Sequence, residues 1–284
     1  MMSPMSVALE LMDLEAVAKT PPTTLPKVNS RTTKPSTQSI ARTVFDLELL
    51  PISRLQAATF IQQHHYARKL PSTCKLYLGG FRREGLMAVG VWGYGVRPLH
   101  TARKLMLGAV TAEYLELNRF CVHDSMPRNS ESHFLSLCME WIEQNMPQVE
   151  WLLSFADGIY GKPGYVYQAA GWLYVGKFLT ERYILPDGTV IHPRLPVTRN
   201  GTRAWTFMES HYPGVRHLWG HQFKYLKLIG SSTDKRHLLK RLLVSPQPYP
   251  KHDDCLIYEA VEGSKVSCRV SFTEGQVRFL PTAP

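Results

Sequence analysis

The feature that most constrains this chain is the order of its apolar segments between residues 44 and 191, which switch back and forth between a period of two and a period near 3.6. Residues 44–50 (VFDLELL) alternate as a strand, and residues 52–65 place Leu55, Ala58, Thr59 and Gln62 at helical spacing with Ser53 as the cap. Residues 75–81 (KLYLGGF) and 86–94 (LMAVGVWGY), joined by Arg82-Arg83-Glu84-Gly85, predict a hairpin. A strand over 113–122 then leads to an amphipathic helix over 132–146, whose stripe is Leu135, Cys138, Trp141, Ile142 and Met146. A buried strand over 149–155, a short helix over 164–170, a strand over 172–178 and a hairpin over 183–191 around Asp187-Gly188 complete the series. Strands alternating with helices predict an α/β core, a mixed sheet covered by helices on both faces.

Outside this series the pattern loosens. Residues 6–18 predict a short helix, and residues 20–39, rich in Pro, Thr, Ser and Lys, predict a linker or disordered basic arm. Residues 214–251 are basic and aromatic, with Arg216, His217, Trp219, His221, Lys224 and Lys227, and residues 234–243 predict a basic amphipathic helix carrying Lys235, Arg236, Lys240 and Arg241. Two or three short strands are expected over 255–280. The expected division is therefore a flexible basic arm (1–42), a main domain (43–252) and a small extension (253–284), the basic character of the C-terminal part lying in residues 214–251. At 284 residues and 44% hydrophobic content the chain can bury one sizeable core.

The net charge of +10 makes nucleic acid the leading partner class, although a solvated basic surface explains charge alone equally well. Arg31 and Lys34 of the arm and the stretch from Arg216 to Arg241 are the expected phosphate contacts. The five cysteines, Cys74, Cys121, Cys138, Cys255 and Cys268, form no CxxC pair and read as reduced, mostly buried thiols. No signal-peptide order appears at the N-terminus, and no apolar run approaches the roughly 20 residues that span a bilayer. A cytoplasmic protein without a membrane partner is expected.

Three constellations carry candidate chemistry. The loop 124–132 (DSMPRNSES) leaves a strand and enters a helix, so the backbone N–H groups of Ser130, Glu131, Ser132 and His133 form a candidate anion site with Arg128 at its rim. An ordinary cap supplied by Asn129 or Ser130 is the plainer alternative. Residues 165–176 (YVYQAAGWLYVG) place a helical tyrosine, Tyr167, before a Gly-Trp turn and a strand. Polar residues also stand at element ends: His65-Tyr66, Asn118-Arg119 and Ser154-Phe155-Ala156-Asp157, where Asp157 can serve as base, metal ligand or plain cap. His217 and His221 stand four apart without a third ligand nearby and read as surface or DNA-facing groups. Tyr66, Tyr77 and Trp92 either stack on a bound base or belong to the core.

The order of strand, anion loop, helix, strand, tyrosine-bearing helix and final strand resembles the GCN5-related N-acetyltransferase fold, in which a tyrosine at the position of Tyr167 protonates the departing thiolate of coenzyme A. The loop 124–132 has none of the glycines of that fold's pyrophosphate loop. More specifically, the chain resembles the Mom proteins of bacteriophages. The resemblance rests on His65-Tyr66, Glu116-Leu117-Asn118-Arg119, Pro127-Arg128-Asn129-Ser130-Glu131-Ser132, Ser154-Phe155-Ala156-Asp157, Tyr167-Gln168-Ala169, Tyr174-Val175-Gly176, His192-Pro193-Arg194 and Pro248-Tyr249-Pro250-Lys251. It implies a phage- or prophage-encoded enzyme that adds a carbamoylmethyl group to adenine N6 in double-stranded DNA and protects it from restriction.

The resemblance further implies catalytic roles for His65, Tyr66, Arg119, Asp157 and Tyr167. It implies a group donor, acetyl-CoA or another, held by Arg128, Asn129, Ser130 and Ser132, and iron held by His65 and Asp157. The oligomeric state stays open, with a homodimer as one option. The competing reading is an N-acetyltransferase that acts on a protein or small-molecule amine with acetyl-CoA.

Overall fold

The structure is a computed structural model that describes residues 46–261, 264–273 and 276–280, so the expected N-terminal helix and basic arm lie outside the described residues. The elements in chain order are β1 (Glu48–Pro51), α1 (Arg54–His64), β2 (Cys74–Arg82), β3 (Gly85–Gly93), α2 (Pro98–Leu105), β4 (Tyr114–Val122), α3 (Ser130–Asn145) and β5 (Trp151–Asp157). These are followed by α4 (Tyr165–Ala169), β6 (Leu173–Ile184), β7 (Val190–Ile191), α5 (Arg194–Asn200), α6 (Trp205–His211), β8 (Arg216–Leu228) and α7 (Ser232–Arg241). Four short strands follow: β9 (Tyr258–Val261), β10 (Ser264–Ser267), β11 (Arg269–Thr273) and β12 (Gln276–Leu280).

The mixed sheet runs β1-β2-β3-β4-β5-β8-β6-β7, with β9 added beside the start of β8 and β10 beside β9. Neighbours are antiparallel except β4 and β5, which run parallel. Alternation along β5 divides the core between two faces. Leu152 and Ala156 pack with Phe134, Leu135 and Cys138 of α3, whereas Trp151 and Leu153 pack with Leu105 of α2 and Leu238 of α7. The expected mixed sheet with helices on both faces is thus the observed architecture.

Helix α1 starts as its sequence dictates, with a capping box in which Ser53 Oγ accepts the Gln56 N–H at 3.2 Å and Gln56 Oε1 accepts the Ser53 N–H at 2.9 Å. Its buried face is Ala57, Phe60 and Ile61, not the expected stripe, and Leu55 is 75% exposed. The two larger side chains, Phe60 and Ile61, bury more apolar area and so set the rotation of the helix.

The largest correction concerns the basic, aromatic stretch after Gly214. It forms β8, a central strand between β5 and β6, with Leu218, Phe223, Tyr225 and Leu226 fully buried. Its cations are held in place: Lys227 donates to the Ala170 carbonyl at 2.8 Å, and Arg216 forks onto Glu259 and lies over the Phe279 ring. Arg241 of α7 pairs with Glu113 at 2.8 Å and Glu150 at 2.9 Å. Arg216 and Arg241 are therefore clamps rather than free phosphate contacts, while Arg236 and Lys240 remain exposed. His217 lies on a strand with its Nε2 held by Glu181, so it is a fixed side chain rather than a free surface group. The strand β6 runs to Ile184, beyond the expected end at residue 178, because its partner β8 continues alongside it. All five cysteines are free, with Cys74, Cys121 and Cys138 buried. Among the described residues no helix is long and apolar enough to cross a membrane.

Candidate active site

The two parallel strands β4 and β5 pair over only three residues each, Tyr114–Glu116 against Trp151–Leu153. Beyond that point they diverge, and a cavity of about 850 Å³ opens between them. Its walls bring together His65 and Tyr66 from the end of α1, Arg119 from β4, Asp157 from the end of β5 and Tyr167 from α4. Arg128, Asn129 and Ser132 line it from the loop before α3. Eight of the nine sequence-selected residues therefore meet in one cleft.

Ser130 is the exception. It is fully buried, and its hydroxyl turns back to the Pro127 carbonyl at 2.6 Å, closing the turn that starts α3. Asn129, the residue before the helix, adopts φ 71°, a left-handed conformation that asparagine tolerates better than most residues. No side chain caps α3, so the expected capping role of Asn129 or Ser130 is not what either residue does. Ser132 Oγ donates to the Asn129 carbonyl at 3.1 Å, and Glu131 stands in the first turn.

His65 terminates α1, and its Nδ1 accepts the Ala67 N–H at 2.9 Å. Burial, with Arg119 and Lys162 nearby, pushes its pKa down to about 3, so the ring is neutral and its proton sits on Nε2. Next to it the Tyr66 ring stacks at 4.3 Å, and Tyr66 in turn packs on Tyr160 at 4.6 Å. Tyr160 packs on Phe272 of β11 at 4.3 Å, which makes a ladder of four rings, and Lys162 Nζ stands 5.0 Å from the Tyr66 centroid. Burial and then the Asp157 carboxylate hold the Tyr66 phenol above its ordinary pKa. Arg119 is anchored by carbonyl oxygens, with Nε on Lys69 at 3.0 Å and Nη1 on Asn118 at 2.6 Å.

On the opposite wall Asp157 is 5% exposed, with Oδ2 on Arg182 Nη2 at 2.5 Å and Oδ1 accepting the Ile159 N–H at 3.1 Å. Burial raises its pKa, and Arg182 works against that rise. Tyr167 is 8% exposed between Trp172 and Tyr225, and burial keeps its phenol protonated. The site is thus rich in donors, with one buried carboxylate among them.

Iron does not fit the expected pair. The neutral His65 spends its Nδ1 lone pair on a backbone N–H and carries hydrogen on Nε2, so it offers a metal no free lone pair. Among the described residues no three His, Cys, Asp or Glu side chains converge on one point. Arg182, Tyr160 and Lys162 escaped the sequence reading. An arginine amid the apolar residues of a strand is a readable sign of a buried partner, because such a charge is rarely buried unpaired.

Residues 46–251 match the model of the Mom protein family. The methylcarbamoylase Mom of Escherichia phage Mu is 36% identical over 208 residues, 72% of this chain and 84% of that protein. Solved structures similar to this chain include a Bacillus subtilis acetyltransferase in complex with CoA, 8% identical at a TM-score of 0.37, covering 65% of this chain and 99% of that one. An acetyltransferase of the GNAT family from Streptococcus pneumoniae is 13% identical at a TM-score of 0.37, with the same coverage. With its sequence matched from before β1 to just past α7, the chain belongs to the Mom protein family.

Proposed function

We propose that this protein modifies DNA, adding a carbamoylmethyl group to the N6 amine of adenine, and that the cleft between β4 and β5 is where it does so. The observation that carries this reading is the meeting of Tyr66, Arg119, Asp157 and Tyr167 from four separate segments in one cavity, in a chain related to a methylcarbamoylase. The substrate is double-stranded DNA of a phage or prophage in the bacterial cytoplasm, and the modification shields it from restriction. Since N6 lies inside the duplex, the adenine enters the cleft extruded from its stack.

The exocyclic amine is a weak nucleophile, so an acceptor must take its hydrogen as it attacks. Asp157 is that acceptor, made more basic by burial, while Arg182 and Ile159 fix its orientation. Tyr167 is the proton donor to the leaving group, because its phenol stays protonated. Arg119 and the Nε2–H of His65 hold oxygen atoms of the incoming group, and Tyr66 supplies a face for the base. The uncapped start of α3, with Arg128 beside it, suits an anionic portion of the donor. That is a fit to an anion, not to acetyl-CoA in particular.

The test is nucleoside mass spectrometry on DNA from cells expressing the protein, run beside thermal melting and DNA binding. Tyr167→Phe removes one hydroxyl and is expected to lose on the order of 10²-fold of modification rate with unchanged melting. Asp157→Asn is expected to lose at least as much, and to melt earlier because Arg182 then lacks a counter-charge. Wild-type levels of modified adenine in both variants would remove the catalytic assignment.

A further inference from the structure

A second cavity, of about 410 Å³, lies at the end of the β6–β8 ribbon that extends past β5. Its size falls within the roughly 300–1,000 Å³ of small-ligand sites. It is lined by Trp205 of α6, His217 and Trp219 of β8, Glu181 of β6 and Arg203. None of these residues belongs to the cleft. Trp205 and His217 are nearly parallel, 15° apart with centroids at 5.9 Å, and His217 and Trp219 lie 4.6 Å apart. Trp205 is 41% exposed although it is a large aromatic side chain with a cavity beside it.

The charges decide what such rings can take. An aromatic site for a cation keeps ring faces and a carboxylate free. Here Glu181 is fully engaged, one oxygen by Arg203 and the other by His217 Nε2 at 2.7 Å, and Lys265 already stands 4.8 Å over the Trp219 ring. His217 is itself stacked against Tyr183, Trp219 and Trp205, so what remains is the exposed face of Trp205, backed by this stack, with the cation Lys265 at its far end. That combination suits a flat, uncharged ring attached to an anion, which is a nucleotide.

We propose that this aromatic slot binds an unpaired nucleobase of the DNA substrate on the exposed face of Trp205, with Lys265 drawing in the adjoining phosphate. The proposal rests on the reading of DNA as the substrate. Glu181 and Arg182 are consecutive on β6 and so project to opposite faces, Glu181 into the slot and Arg182 onto Asp157. The base in the slot is therefore not the base being modified. It belongs to strand that passes from the cleft around the edge of the ribbon.

The test compares binding of a labelled single-stranded oligonucleotide and of the paired duplex at one fixed salt concentration, by fluorescence anisotropy on the full chain. Trp205→Ala and Trp219→Ala are expected to weaken single-strand binding about 10-fold while duplex affinity stays within about twofold. Trp205→Phe keeps a ring and is expected to restore most of the loss, which a general packing defect would not do. Single-strand binding unchanged in both alanine variants would overturn the slot, as would its saturation by a trimethyl-lysine peptide in place of DNA. Modified adenine made by the wild-type protein, together with unaffected binding in the variants, sinks the slot alone. Trp205-dependent binding without any modified adenine sinks the enzymatic reading and leaves the slot standing.

Discussion

The two walls of the cleft hold their charged groups by different means. On the β4 wall, Arg119 is fixed by the carbonyl oxygens of Lys69 and Asn118, and His65 by a backbone N–H. On the β5 wall, Asp157 is fixed by Arg182, a full charge that reaches it from β6, two strands away. Carbonyl dipoles hold a cation without neutralising it, so Arg119 keeps its field for a ligand. A buried ion pair is mutually dependent, since either partner left alone is a desolvated charge. The difference teaches that the β4 wall can change its chemistry at small cost to the fold, whereas the β5 wall cannot.

The contrast is broken most directly by removing one arginine from each wall. Arg182→Ala is expected to cost about 3–5 kcal/mol by stranding Asp157, seen as a fall in melting temperature on the order of 10 °C. Arg119→Ala is expected to cost less than about 1.5 kcal/mol yet to lose on the order of 10²-fold of modification. Equal melting temperatures for the two variants would abolish the distinction.

A smaller test lies in the loop before α3, where neighbouring serines face opposite ways. Ser130→Ala removes the buried hydroxyl's bond to the Pro127 carbonyl, which keeps the Ser130 N–H at 3.2 Å, and is expected to destabilise by about 1 kcal/mol. Ser132→Ala is expected to leave melting unchanged and to reduce modification, as is Arg128→Ala. Full activity in Ser132→Ala and Arg128→Ala would make this loop a turn and nothing more.

The mildest effect is expected from pH. His65 and His192 have pKa values pushed down to about 3 and 4, in both cases by burial first. Below their ordinary value of about 6.5 the unfolded chain takes up protons that the folded chain refuses, so stability falls as pH drops from about 6.5 toward those values. His65→Gln removes one of the two groups and is expected to flatten the slope of melting temperature against pH between about 6.5 and 4. An unchanged slope would show that His65 is open to solvent.

Much of the β4 side was readable from sequence because its contacts are local. The hairpin β2–β3 announces itself by Gly85 and two apolar runs, and the start of α1 by Ser53. The β5 side was not, because β8 arrives some 60 residues after β5 in sequence, a separation no local period can report. Its lysines and histidines, at Lys224, Lys227, His217 and His221, hide from a local reading that this stretch is a central strand. Of the cleft residues, His65, Tyr66 and Asp157 stood at element ends, Arg119 and Tyr167 inside theirs, and Arg182 was hidden inside an element whose end was set too early.

The ring ladder that begins at His65 ends on Phe272, twenty-one residues beyond the last position matched to the family at 251. Tyr66 thus leans on Tyr160, and Tyr160 on a side chain supplied by a hairpin that the shared segment does not include. The family match ends before the last ring of the ladder that lines the candidate cleft. A lineage can shift the tilt of the Tyr66 ring by editing a peripheral hairpin, leaving each residue of the candidate cleft as it was.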